Sequence, residues 1–215
     1  YNTRQARHLE GETAYGLLVE SLFGACADAG VDSAEVDAVV GQGSARLTYD
    51  LGLGPVTRLD SGLGIPTVAA AARLIATGEA TTVAIVAAGA GLLERDGRTA
   101  PWTRPDNELV VGYGLFTAAE FALMARRHML MHGTTPEQMA TVAATIRNNG
   151  HAHPGAVYSG RGPFTASDVL ESRMVADPFH LLDCATTSEG GCGLVLTHAD
   201  RAADLPHSPV YILGT

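Results

Sequence analysis

The sequence predicts an α/β fold in which helices cover a sheet of buried strands. Segments with helical periodicity alternate with short apolar runs bounded by glycines, and this alternation favours a layered architecture. Hydrophobic residues make up 46% of the 215 residues and charged residues only 17%, which is enough apolar material for a substantial core. The run from Val83 to Leu93 is too short for a membrane span and is interrupted by Gly89 and Gly91, so we interpret it as a buried strand.

The N-terminal segment predicts one helix followed by two strands. One apolar face of the helix recurs at three- and four-residue intervals, at Tyr15, Leu18, Leu22 and Ala25. Gly30 ends this helix, and Asp32 or Ser33 caps a short turn that follows it. Residues 37–40 then suit a buried strand and residues 55–60 a second, shorter one.

The next segment predicts a helix, a buried strand and a loop. Residues 67–78 form a strong helical pattern, with Pro66 in the first turn and Gly78 in place to stop the helix. Residues 81–91 are an apolar run that fits a fully buried strand. Charges and prolines interrupt the pattern over residues 94–108, which predicts an excursion loop.

The remaining chain is mainly helical before it returns to strand. Helices are predicted over residues 118–133, 135–150 and 165–175. Thr134 or Thr135 caps the second of them with support from Glu137, and Thr165 or Ser167 caps the third. A loop is predicted over residues 151–164, and another buried strand is predicted over residues 193–198.

The two ends of the sequence predict further chain. Residues 209–215 alternate as the beginning of a strand does, so we expect the protein to continue beyond Thr215. The sequence opens at Tyr1 without an initiator methionine, so the question of a preceding leader stays open.

Charge limits the possible partners and the chemistry. The formal net charge is −9, so the surface as a whole repels phosphate backbones and we expect no nucleic-acid partner. All 14 basic residues are arginine, so no lysine can form a Schiff base with a carbonyl substrate.

The cysteines and histidines predict neither a disulfide framework nor a metal site. Cys26, Cys184 and Cys192 are odd in number and lack zinc spacing, which favours a reducing, cytoplasmic location. Cys184 and Cys192 could act as nucleophiles, but their apolar surroundings favour packed thiols. His128 and His132 lie four residues apart on a predicted helix without the glutamate of a zinc motif, so we expect no metal.

The turn around Ser61 is the first candidate for chemistry. A strand ending at Asp60 and a helix opening near Pro66 place Ser61 close to a helix N-terminus, where free N–H groups favour negative charge. The turn is not a hydrolase elbow, because Leu59 stands where that motif needs glycine. A serine nucleophile and a tight turn of small residues remain the two interpretations.

Residues 61–91, 113–143 and 171–202 together resemble the thiolase superfamily, in particular its branch of sterol-carrier-protein-X and lipid-transfer proteins. The block “ADPFHLLDCATTSEGGCGLVLT” at residues 176–197 is the most specific of the matching stretches. The resemblance implies a thiolase-like α/β fold, layered αβαβα in the complete protein. It implies an N-terminal half over residues 1–110, a helical region covering coenzyme A over 111–180 and a return strand over 181–215.

Counting back from Gly78 aligns Ser61 with the acyl-accepting cysteine of thiolases and Gly64 with the glycine of the same turn. The resemblance thus implies catalytic positions at Ser61, Gly62 and Gly64, without the thiolate that acyl transfer needs. Tyr113, in a glycine-flanked loop, is a candidate catalytic phenol.

Cysteine-less members of this branch are retro-aldolases, so the resemblance implies cleavage of a 3-hydroxyacyl-CoA in steroid side-chain degradation. No covalently bound cofactor is implied, since coenzyme A is part of the substrate. The implied partners are a second copy of the chain, in a homodimer, and an accessory protein of OB-fold and zinc-ribbon type. An acyltransferase and a non-catalytic acyl-CoA-binding subunit are the alternatives.

The resemblance also implies a set of residues around coenzyme A. It assigns the phosphates to four arginines of the covering region, Arg126, Arg127, Arg147 and Arg161. It assigns the pantetheine arm to three residues of the specific block, Ser188, Gly190 and Gly191. The second half of a thiolase fold carries the catalytic base and is not in this sequence. We therefore expect a protein about twice this length.

Overall fold

The computed structural model describes residues 1–53, 57–59, 64–91 and 117–215. The chain divides into two compact units. One comprises Tyr1–Leu92 together with Ser188–Thr215, and the other comprises Leu93–Thr187. The loop predicted over residues 94–108 lies outside the described residues, and the three-segment division predicted from the sequence stays a prediction.

The secondary structure follows the predicted alternation of helix and strand. The helices are α1 (Ala14–Ala29), α2 (Ser44–Leu51), α3 (Ile65–Ala76), α4 (Thr117–His132), α5 (Pro136–Ala152), α6 (Ala166–Glu171) and α7 (Ala199–Ala202). The strands are β1 (Ala38–Gly41), β2 (Thr57–Leu59), β3 (Thr82–Gly89), β4 (Met174–Ala176), β5 (Phe179–His180) and β6 (Gly190–Thr197). The predicted α/β fold class is therefore confirmed.

The first unit is built on a four-stranded sheet in the order β2-β1-β3-β6. β1 is parallel to both β2 and β3, whereas β6 is antiparallel to β3 along its whole length. The N-terminal residues form a strap on the other edge of β6, with antiparallel bridges from Asn2 to Cys192 and from Ala6 to Glu189. Residues far apart in the sequence thus form one sheet.

Both faces of this sheet are covered by helices, which explains the continuous apolar runs of β1 and β3. The cluster on the α1 and α2 face contains Leu18, Leu22, Cys26, Val36, Val39, Leu47, Ala84 and Val86. The cluster on the α3 face contains Ala38, Val40, Ala71, Leu74, Ala80, Val83 and Ile85. Successive residues of β1 and β3 therefore alternate between two cores.

The predicted helix boundaries of the first unit are reproduced closely. Thr13 caps α1 by accepting the N–H of Gly16, and Gly30 follows its end with φ 67°, in the left-handed region. Asp32 caps the short 3₁₀ turn that leads to β1. Pro66 lies in the first turn of α3, and Gly78 follows the C-cap of that helix with φ 74°.

The second unit contains α4, α5, α6 and the β4–β5 hairpin. Its small core consists of Ala140, Ala144 and Val169, with Phe164 and Leu182 packed against them. Thr135 caps α5 and Thr165 caps α6, each in a complete capping box.

Several expectations from the sequence are corrected. The helix predicted over residues 165–175 ends at Glu171, because residues 174–176 pair with β5 as the strand β4. The partner in the α5 capping box is Gln138 and not Glu137, because Thr135 as N-cap makes residue 138 the third helical position. The helix α2, enclosed by Gly43 and Gly52, was not predicted, since Leu47 is its only buried large apolar side chain.

A further correction concerns the C-terminal residues 208–215, which form neither helix nor strand. Val210 and Leu213 are 94% and 96% exposed. A strand needs a neighbour that accepts its hydrogen bonds, and no described strand pairs with this segment. Apolar alternation alone therefore does not make it a strand.

The Asp37 carboxylate clamps the start of β3 and makes stability depend on pH. It accepts hydrogen bonds from the N–H and hydroxyl of Thr81 and from the N–H of Thr82, at 2.7 to 2.8 Å. Burial alone would raise the pKa of Asp37, but these bonds outweigh it and lower the pKa below its ordinary value of 3.8. Because the folded pKa is the lower one, this stabilisation is complete above pH 3.8 and is lost as the pH falls through the folded pKa.

We expect Asp37→Asn to lower the free energy of unfolding at neutral pH and to flatten its fall below pH 3.8. Urea unfolding at a series of pH values measures both effects. Asp204→Asn, at an exposed carboxylate, leaves the clamp intact and is the control. An Asp37→Asn profile parallel to that of the wild type would contradict the clamp.

Candidate active site

The turn that precedes α3 is described only at its last residue. Ser61, Gly62 and Tyr113 lie outside the described residues, and Gly64 is the N-cap of α3 with φ 89°. Among the described residues, a Cβ at Gly64 would meet nothing within 4 Å. The positive φ of the backbone is therefore what favours glycine at this position. Gly64 offers no side-chain cap, so the positive end of the 12-residue helix faces this turn without one.

The glycines of the specific block have a packing role in the structure. A Cβ on Gly191 would lie 2.5 Å from the Ser21 hydroxyl and 3.1 Å from the Leu17 carbonyl oxygen, so this residue lets α1 approach β6. Thr3 hydrogen-bonds both backbone groups of Gly191, through its own N–H at 3.0 Å and its hydroxyl at 2.8 Å. The assignment of Gly191 to the pantetheine arm stays a prediction. The N–H of Gly191 already donates a hydrogen bond to the Thr3 hydroxyl.

The other two residues predicted in this block differ in their surroundings. Ser188 is exposed. Gly190 has φ 153°, and a Cβ there would lie 2.4 Å from the Gln5 side chain, so the N-terminal strap packs directly against it.

Sequence reasoning missed Glu189, the buried carboxylate between Ser188 and the glycine pair. Its side chain is 0% exposed, and Oε2 accepts the N–H of Leu9 at 2.7 Å and lies 3.3 Å from Nδ1 of His8. The acid therefore fixes the end of the N-terminal strap. An acidic residue directly before an apolar glycine-rich strand was the available signal, because such a residue needs a buried partner.

The four predicted phosphate-binding arginines do not form one cluster of free guanidinium groups. Arg126 pairs with Asp177 at 3.3 Å, and Arg127 is exposed. Arg147 and Arg161 both stack on the ring of Tyr158, at 4.3 and 5.6 Å from its centroid. The structure thus brings together two of the four.

Short hydrogen bonds close the loop between α5 and α6. The Asn148 side chain accepts the N–H of Phe164 at 2.7 Å and donates to the carbonyl of the same residue at 2.9 Å. Nδ1 of His151 accepts the N–H of Gly162 at 2.9 Å. The end of α5 therefore holds the loop that carries Tyr158 and Arg161.

The three cysteines are free. Cys26 is buried, and burial raises the pKa of its thiol, with a smaller contribution from Asp32. Burial and then Asp183 also raise the pKa of Cys184, against the opposite effect of two arginines. A raised pKa disfavours the thiolate, so neither thiol has the environment of an activated nucleophile.

The rings of His128 and His132 lie 4.7 Å apart, and Nδ1 of His128 is 3.1 Å from the Thr134 hydroxyl. Within the described ranges, no three or more His, Cys, Asp or Glu side chains are grouped so that they could hold a metal ion. Among the helices of the same residues, none combines the length and the apolar character needed to cross a membrane.

The first unit also contains an apolar groove of about 590 Å³ between α1, α3, β6 and residues 205–212. None of the predicted site residues that the structure describes lines this groove.

The architecture defines a thiolase-like fold. Human mitochondrial 3-ketoacyl-CoA thiolase in complex with CoA superposes with a TM-score of 0.61 at 13% identity, covering 94% of this chain and 64% of that chain. The Ltp2-ChsH2(DUF35) aldolase superposes with a TM-score of 0.85 at 31% identity, covering 99% of this chain and 58% of that chain. No model of a protein family matches the sequence.

Three curated relatives extend this likeness to the sequence. The steroid side-chain-cleaving aldolase of Thermomonospora curvata is 33% identical over 230 residues, covering 95% of this chain and 57% of the relative. The 17-hydroxy-3-oxo-4-pregnene-20-carboxyl-CoA lyase of Mycobacterium tuberculosis is 32% identical over 229 residues, covering 94% and 57%. The acetyl-CoA acetyltransferase of Methanothermobacter thermautotrophicus is 32% identical over 212 residues, covering 91% and 55%.

The chain is a thiolase-like protein related to the sterol-carrier-protein thiolases and the steroid side-chain aldolases, so the resemblance predicted from its sequence is confirmed. It spans 55% to 57% of the length of these three curated relatives.

Proposed function

We propose that this protein is a carbon–carbon lyase that cleaves a 3-hydroxyacyl-CoA by a retro-aldol reaction in steroid side-chain degradation. The observation that carries the proposal is the likeness to the Ltp2-ChsH2(DUF35) aldolase, which extends over 99% of this chain with a TM-score of 0.85. The identity of 33% to a steroid side-chain-cleaving aldolase supports the same reaction class.

The reaction needs no covalent bond between protein and substrate. A base removes the proton of the β-hydroxyl group, the bond between the α and β carbons breaks, and the β carbon leaves as the carbonyl of a ketone. The electron pair of the broken bond forms the thioester enolate, which takes a proton at the α carbon and leaves as a shorter acyl-CoA. The protein has to supply the base and donors that stabilise the enolate oxygen.

The turn before α3 is the proposed site of enolate stabilisation. A serine at position 61 replaces the thiolase cysteine, and a hydroxyl is a far weaker nucleophile at neutral pH than a helix-terminal thiolate. Backbone N–H groups near Gly62 and Gly64, at the positive end of α3, would hold the enolate oxygen. Tyr113 stays a candidate for proton transfer.

The remaining predicted contacts belong to the coenzyme A part of the substrate. Arg126, Arg127 and Arg161 are the proposed phosphate ligands, since guanidinium groups suit phosphate oxygens, and Ser188 and Gly190 are proposed near the pantetheine arm. We propose no covalently bound cofactor and no metal.

We further propose a cytoplasmic homodimer that works with an accessory protein of OB-fold and zinc-ribbon type. The Ltp2-ChsH2(DUF35) aldolase, an assembly of two proteins by its name, supports the accessory protein. The free state of all three cysteines supports a reducing compartment.

An acyltransferase is the second candidate, favoured by the 32% identity to an acetyl-CoA acetyltransferase over 91% of this chain. A subunit that binds acyl-CoA without turning it over is the third. The three differ in products: a ketone with a shorter acyl-CoA, a thiolysis product that requires free CoA, or no product.

The test uses the full-length protein with its accessory partner and a steroid 3-hydroxyacyl-CoA. We expect release of a ketone and a shorter acyl-CoA without added free CoA, detected by mass spectrometry of the products. The intact mass of the protein during turnover should stay that of the unmodified chain. A 3-ketoacyl-CoA with free CoA is the parallel substrate.

An acyl group attached to the protein during turnover, or products only from the 3-ketoacyl-CoA with free CoA, would establish the acyltransferase instead. Binding of both substrates without product would establish the non-catalytic subunit.

A further inference from the structure

Arg147 makes contacts that suit a structural brace and not a phosphate ligand. It lies in the last part of α5, where its Nε donates to the carbonyl of Leu182 at 2.7 Å and its Nη2 to the carbonyl of Cys184 at 2.6 Å. One side of the guanidinium fork is thereby directed at two backbone oxygens two residues apart. Both bonds are charge-assisted and short, as expected for a positioned guanidinium.

Tyr158 fixes the plane of this guanidinium group. The Arg147 guanidinium carbon lies 4.3 Å from the centroid of the Tyr158 ring. The hydroxyl of the same tyrosine accepts a hydrogen bond from Thr186 at 3.2 Å. Arginine and tyrosine therefore contact residues 182–186 at three points, two of them backbone carbonyls and the third the Thr186 hydroxyl.

Side chains and the backbone bonds of one turn hold this stretch: the N–H of Asp183 donates to the His180 carbonyl at 3.1 Å and that of Cys184 to the Leu181 carbonyl at 3.3 Å. Residues 185–188 belong to no helix or strand, and residues 181–184 form a turn after β5. The stretch continues directly into Ser188 and Gly190, which the proposed function places near the pantetheine arm. The stretch and those residues are thus consecutive along the chain.

We propose that Arg147 is a positioning residue that holds residues 182–186 in place, and that it acts on substrate binding through this segment and not by contact with a coenzyme A phosphate. This inference rests on the proposed function for its effect on substrate and on the observed contacts for the brace itself. A lysine cannot replace it, because one ammonium group has neither the fork nor the flat face.

The test compares Arg147→Ala, Arg147→Lys and Arg161→Ala in the full-length protein. Arg161 stacks on the same ring at 5.6 Å, and its backbone N–H donates to the Tyr158 carbonyl at 3.0 Å. Arg161→Ala therefore removes a second guanidinium group from that ring and keeps the backbone bond, which makes it the matched control. Amide hydrogen exchange of residues 181–187 should become about tenfold faster in both Arg147 variants and stay unchanged in Arg161→Ala. This measurement does not depend on any activity.

The effect on substrate is measured with an acyl-CoA and its 3′-dephospho analogue. In Arg147→Ala we expect KM, or Kd if no turnover occurs, to rise about fivefold for both compounds, with kcat changed less than twofold. The ratio of the two constants stays that of the wild type, because no phosphate contact has been removed. If Arg147 bound the 3′-phosphate directly, Arg147→Ala would instead lose the preference of the protein for the acyl-CoA over its 3′-dephospho analogue.

Unchanged exchange in Arg147→Ala, or loss of its preference for the 3′-phosphate, would overturn the inference. If the wild type neither binds nor cleaves acyl-CoA, the proposed function fails, whereas the exchange rates still decide whether Arg147 is a brace. If Arg147→Ala does not fold, Tyr158→Leu removes the supporting ring and should raise the exchange of the same residues.

Discussion

Replacing Gly193 with alanine should destabilise the protein by about 3 kcal/mol, because the helix α1 would have to move away from the sheet. A Cβ at this position would lie 2.2 Å from the Ser21 carbonyl oxygen and 2.9 Å from the Cβ of Ala25. The first of these atoms is helix backbone, which cannot rotate away as a side chain can. Urea unfolding measures the loss as a lower midpoint with an unchanged slope.

Gly214→Ala is the matched control, since a Cβ there meets nothing within 4 Å in the part of the chain that the structure describes. We expect it to stay within about 0.5 kcal/mol of the wild type. Equal midpoints for the two variants would mean that α1 and β6 are further apart than the structure has them.

Replacing Leu22 with alanine should cost about 2–5 kcal/mol by leaving a cavity between α1 and the sheet. The Leu22 side chain is 0% exposed and belongs to the cluster that includes Val39 and Val86. Removing it takes away apolar contacts on β1 and β3 together, so thermal and urea unfolding should both show the loss.

The neighbouring residue on the same helix provides the control for Leu22. Phe23 is a larger side chain but is 43% exposed, so Phe23→Ala removes more atoms and less buried surface. We therefore expect a much lower free energy of unfolding for Leu22→Ala than for Phe23→Ala. The reverse order would show that the apolar face of α1 is turned differently.

Both predictions concern the contact that supports the specific block of the sequence. α1 packs on β6, and β6 begins with Gly190 and Gly191, directly after the buried Glu189. The Thr3 and Leu9 backbones complete this arrangement from the N-terminal strap. The glycines that the sequence associates with coenzyme A are therefore also the glycines that close packing needs.

Local patterns predicted most of the fold because each depends on neighbours in the sequence. The apolar spacing of Leu18 and Leu22 with Gly30 behind it defined α1, and Pro66 with Gly78 framed α3. α2 was missed because a single buried leucine is too weak a signal. Residues 209–215 were mispredicted because a strand depends on a partner that alternation does not reveal.

For the candidate site, residue types could be predicted and contacts could not. The resemblance to thiolases implied that Arg147 lies near the coenzyme A phosphates, but its bonds to Leu182 and Cys184 join residues 35 and 37 positions apart. Glu189 and Leu9 are 180 positions apart, so the buried carboxylate had no visible partner. Such pairs exist only after folding.

The sequence by itself determined the α/β class and the relation to thiolases, since these depend on residue identity and local spacing, and it predicts a serine at the position of the thiolase nucleophile. Three features were decided only by the tertiary structure. Gly191 and Gly193 allow α1 to pack closely on β6, Glu189 fixes the N-terminal strap, and Arg147 hydrogen-bonds backbone carbonyls. The physical reason is that close packing and hydrogen bonding join segments whose distance along the chain bears no relation to their distance in space.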